Sequence, residues 1–97
     1  MQKVKVKADV NVNGIIREIH FIGKIRADLY SVEKETIIVL VAINGTEFLG
    51  LFESIQDDYC LLKGTQTGKM GKVRMTSIDY FFEEIKDDTK IIIKPCP

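Results

Sequence analysis

Tryptophan is missing from this chain of 97 residues, and histidine, cysteine and proline are scarce, at one, two and two. A single histidine, His20, with no second histidine and no cysteine cluster around it, offers no metal-binding or general-base constellation. Cys60 and Cys96 lack the spacing of a zinc site, and two cysteines do not build a disulfide framework. Cys60 stands among apolar residues and reads as a buried free thiol. A reducing, cytoplasmic setting follows from that reading. Net charge is missing too, because 14 basic residues face 14 acidic ones. This balance argues against tight nonspecific duplex binding, which runs on phosphate neutralisation, and leaves room for a local basic surface. No apolar run approaches the roughly 18 residues that cross a bilayer. The opening MQKVKVKADV alternates charge with valine, unlike a signal peptide.

Catalytic patterns are equally thin. No serine, cysteine or lysine has the partner a nucleophile needs. The stretch from Gly64 to Lys69 resembles a phosphate loop but is one residue short between its glycines, and Met70 stands where a magnesium-holding hydroxyl belongs. Asp57-Asp58, Glu83-Glu84 and Asp87-Asp88 fall at expected turns, where carboxylates cap amides and keep loops in water. Neither an enzyme nor a metal or cofactor is expected.

What is present is alternation. Between Thr36 and Gly64 the chain reads as two strands, a tight turn, an acidic break and a third strand. Ile37, Val39, Val41 and Ile43 mark one face of the first strand, and Ile38, Leu40 and Ala42 the other, so both faces call for burial. Asn44-Gly45 predicts a type I′ hairpin turn, with positive φ at both residues. Gly50, inside the second strand, predicts a bend, a bulge or a close backbone approach. Upstream, residues 3–12 alternate valine and alanine with charge, which predicts a half-buried strand, and Asn13-Gly14 repeats the hairpin signal. The next stretch, IIREIHFIGKI, fits a returning strand or a helix; the hairpin is favoured, with a helical turn between Ala27 and Glu35. After Leu62, three glycines and three lysines predict an exposed, mobile, basic loop. A long strand from Val73 to Phe82 and a short last strand, Lys90 to Lys94, complete the pattern.

The run of Ile43-Asn44-Gly45, Phe48, Gly50, Phe52, the polar corner and Leu61-Leu62-Lys63 resembles the first signature motif of the Sm-like family. The family includes the Sm and LSm proteins and the bacterial RNA chaperone Hfq, and Asn44-Gly45, Gly50 and Glu53-Ser54 are most similar to the Hfq branch. The resemblance covers residues 36–82. It implies an all-β fold, a small, strongly bent five-stranded Sm-like (SH3-like) barrel over residues 36–97. Residues 1–35 form an N-terminal extension, hairpin or short helix, packed on it within a single domain.

The same resemblance implies a binding site for single-stranded RNA at the corner after the second strand. Gln56, Tyr59 and Arg74 fall on family site positions with usable chemistry. Asp58 falls where the family stacks on a base and Cys60 where it reads a base edge; neither is suited to the task. Lys63, Lys69, Lys72 and Arg74 would supply positive charge. Family rings form when the fourth strand of one subunit pairs with the fifth of its neighbour. Here that implies a homo-oligomer of about five to seven subunits. Its interface would be Val73, Ile78, Tyr80, Phe82, Ile91, Ile92 and Ile93. The functional expectation is a ring that binds single-stranded RNA without catalysis. The alternative is a structural ring that contacts protein.

Overall fold

A computed structural model describes residues 5–86. It shows seven strands: β1 (Lys5–Val12), β2 (Ile15–Ile25), β3 (Ile37–Ala42), β4 (Glu47–Gln56), β5 (Tyr59–Lys63), β6 (Met70–Arg74) and β7 (Ile78–Glu84). Short 3₁₀ helices at Arg26–Ser31 and Met75–Ser77 bracket the long excursions. The fold is all-β. The strands form one antiparallel sheet in the order β1-β2-β7-β3-β4-β5-β6, which no ladder between β1 and β6 closes.

The sheet is two-sided, as β3 requires. Ile38 and Leu40 face a cluster with Leu29, Phe52, Cys60 and Phe81. Ile37 faces a second cluster with Val10, Ile19 and Phe21, against which Val39 and Phe82 also pack. Burying a large apolar side chain contributes about 1.5–3 kcal/mol, so β3 anchors both halves of the molecule. The favoured hairpin forms: residues 5–12 pair with 15–22, and β2 then continues along β7 from Phe21 to Ile25. The helical turn also appears, at Arg26–Ser31. Arg26 ties this segment to the far side of the sheet, donating to the carbonyls of Met75 and Ile78, each at 3.2 Å.

Three local expectations need correction. The long strand from Val73 to Phe82 is broken at Met75–Ser77, where the chain turns from β6 to β7. Met75 is buried there, and its N–H is satisfied by the carbonyl of Asp58 at 2.8 Å, so this buried donor keeps a partner at the break. At Asn44-Gly45 only the glycine takes positive φ. The Gly45 N–H donates to Ala42 O and the Ala42 N–H to Thr46 O, each at 2.8 Å. That is a three-residue loop, a type I turn followed by a left-handed residue, not a type I′ turn. The glycine- and lysine-rich loop is shorter and better tied than expected, because Met70 to Arg74 is strand. Gly64 donates to Lys69 O at 2.8 Å and Gly68 to Gly64 O at 3.1 Å, and Thr65 is buried.

Gly50 marks a close approach. A Cβ there would lie 3.0 Å from Leu62 Cβ and 3.1 Å from the carbonyl oxygen of Lys63. The register shift of β4 falls beyond it, between Phe52 and Ser54.

The expected subunit edge is also different. β7 pairs with β3 on one side and with β2 on the other, so its backbone is used within the chain. Ile78, at 1% exposure, belongs to the core and is not an interface residue. Val73 packs on the same core and Phe82 on the second cluster. Tyr80 is exposed and makes an edge-on contact with Phe82, centroids 5.7 Å apart. The last strand, Lys90 to Lys94, with Ile91, Ile92 and Ile93, lies outside the described residues.

Candidate nucleic-acid interface

The β5–β6 ladder sorts side chains by parity. Cys60 and Leu62 are buried on the inner face; Tyr59, Leu61 and Lys63 take the outer one. Tyr59 pairs with Arg74, Leu61 with Lys72 and Lys63 with Met70, so two cations stand beside one aromatic ring on the outer face. Arg74 Nη2 donates to Tyr59 Oη at 2.7 Å, and its Cζ lies 4.9 Å from the ring centroid. Lys72 Nζ lies 4.5 Å from the same centroid. Both distances fall in the range of cation–π attraction, worth about 0.5–1 kcal/mol at an exposed site.

β4 contributes the next row. Gln56 pairs with Tyr59, and its amide nitrogen donates to Ser54 Oγ at 3.1 Å. The structure therefore brings together Gln56, Tyr59, Lys72 and Arg74. Asp57 and Asp58 form the two-residue turn beside them, both with positive φ, at 51° and 65°. This is the type I′ geometry predicted elsewhere, built here without asparagine or glycine. The Asp58 side chain is exposed next to the ring, where its charge opposes a phosphate.

Lys63 and Lys69 are not part of the group. Tyr59 and Lys63 are four residues apart on β5, about 13 Å of strand. Lys63 Nζ sits 3.4 Å from Glu35 Oε2, so its charge is partly committed. Lys69 is exposed in the turn before β6. Cys60 points away from the site altogether, at 0% exposure, and burial pushes its thiol up to about 11. The position that resembled a base-reading site is thus a core position. Ser54 was missed from sequence, although its place two residues before Gln56 on one strand was the signal.

Elsewhere, the His20 imidazole lies 3.8 Å from Glu18 Oε1, and among the described residues no helix is long and apolar enough to cross a membrane. Comparison of the chain with protein-family models, with curated proteins and with solved structures finds no match.

Proposed function

We propose that the protein binds single-stranded RNA without catalysis, on the outer face of β5 and β6. The observation that carries this reading is Tyr59 held by Lys72 and Arg74 on an accessible sheet surface. An aromatic ring with adjacent cations offers a base a stacking platform and a phosphate a charge partner at once. The reading also takes residues 36–84 as a strongly bent Sm-like barrel. The order β7-β3-β4-β5-β6, the short turn at Met75–Ser77 and the close approach at Gly50 support it. The N-terminal hairpin extends the sheet on the β7 side.

The test is anisotropy with short U-rich and A-rich RNAs. Binding is expected at about 50 mM salt and weakens as salt rises, because each phosphate that the cations neutralise releases counterions. Absence of binding to either RNA at that salt would sink the reading. A second reading, a module that contacts protein, is favoured by one separate feature, the open edge of β6.

A further inference from the structure

β6 is the last strand of the sheet: β5 covers one of its edges and no described strand covers the other. An open edge is a row of backbone donors and acceptors ready for another strand. A groove lies beside this edge, between β6 and the start of β4, floored by Phe48, Leu49, Leu62 and Val73. Phe48 and Leu49 remain 37% and 45% exposed, and Met70 on the strand 52%. In the middle of β6, a Cβ at Gly71 would meet nothing within 4 Å, which leaves space for a neighbour's side chain.

We infer that this edge accepts, as an added strand, an extended peptide that alternates acidic with apolar side chains. The alternation follows from parity. Along an added strand, one set of side chains stands beside Met70, Lys72 and Arg74, and the other stands beside Gly71 and Val73, over the groove. Among the described residues, Lys69, Lys72 and Arg74 form no ion pair, so the first set meets uncommitted positive charge. Among the described residues, Glu47 is the one acidic residue lining the groove.

A second copy of the chain fits worse. β6 laid against β6 sets Lys72 and Arg74 beside like charges, and β1, the other open edge, brings Lys5 and Lys7 against one acid, Asp9. β7, which carries Glu83 and Glu84, is paired on both sides. The inference goes beyond the RNA reading, since it uses the backbone edge and the inner groove and shares with that reading only the charges of Lys72 and Arg74.

The probe is a synthetic peptide of roughly eight residues, one strand length, alternating glutamate and valine. Added to the intact protein, it shifts the backbone amide resonances of Met70 to Arg74. N-methylation of the alternate peptide amides that face β6 weakens binding at least tenfold, about 1.4 kcal/mol, by removing main-chain bonds. Methylation of the other set, which faces solvent, leaves binding unchanged, and replacing glutamate by lysine abolishes it. The proposal is overturned by equal binding of both methylated peptides, by shifts confined to β1, by no shift at about 1 mM peptide, or by a protein dimer that the peptide dissolves, which assigns the edge to a second copy. Shifts of the β6 amides by oligouridylate but not by the peptide also overturn it, in favour of RNA. Peptide binding without RNA binding removes the RNA reading and leaves this one standing.

Discussion

Arg74 does two jobs within one contact. Its guanidinium donates to the Tyr59 hydroxyl and also covers part of the ring. An arginine in this position presents a planar face and several remaining donors to solvent. Arg74→Ala is expected to weaken RNA binding by about 1–3 kcal/mol, the scale of one lost stacking contact. The matching measurement is a titration of the variant beside the unmodified protein; unchanged affinity places the RNA elsewhere. Cys60, one residue from the ring, has no part in that contact. Its folded pKa, about 11, lies above the ordinary 9.0 because burial disfavours the thiolate. The unfolded thiol therefore loses its proton first as pH rises. The thiol's contribution to stability is complete below 9.0 and disappears as the pH passes through about 11. Urea midpoints of the protein and of Cys60→Ala should converge across that window. A constant gap between them would show that the thiol is not the titrating group.

At the scale of elements, legibility followed periodicity. β1, β3 and β5 were readable because their alternation or double-sided apolarity leaves no other fold for those residues. β2 was ambiguous because IIREIHFIGKI satisfies both periods, and its pairing with β1 and β7 decided the matter. The break at Met75–Ser77 was hidden, since the capture of Met75 N–H by Asp58 and of two carbonyls by Arg26 are long-range events. The binding face was legible in part. Tyr59 and Arg74 were singled out by residue type, but their juxtaposition depends on the β5–β6 register, which only the fold supplies. The Asp57-Asp58 turn reads as an acidic break in the sequence, although it is a two-residue hairpin turn, as short as the one at Asn13-Gly14. Two non-glycine residues with positive φ are strained there, and both are exposed in the turn that precedes Tyr59. Replacing the pair by Asn-Gly relieves the strain, with an expected gain of about 0.5–1 kcal/mol in stability. The same change removes two negative charges and is expected to tighten RNA binding. A denaturation midpoint that falls, or an RNA affinity that weakens, would contradict the assignment of this turn.

At the scale of the whole molecule, the decisive feature is where the sheet ends. A ring was expected because β7 and the last strand would leave apolar edges open. β2 lies along β7, so the N-terminal hairpin occupies one of the two edges that such a ring would use, the other lying outside the described residues. The second cluster, Val10, Ile19, Phe21 and Ile37, holds the hairpin there. Displacing it would expose those four side chains, at about 1.5–3 kcal/mol each, more than one added strand pair returns. The edges that remain among the described residues are β1 and β6. Both carry lysines, a common means by which edge strands avoid pairing with their own kind. Light scattering at micromolar concentration and low salt is therefore expected to give the mass of one chain, 11.0 kDa. Raising the salt screens the lysines and favours association, so any growth in mass should appear above about 0.5 M and not below it. A stable species of about five to seven chains at low salt would show that closure uses a surface other than these two edges. In that case β2 does not protect the molecule from self-assembly, and the β6 edge is not what keeps the chains apart.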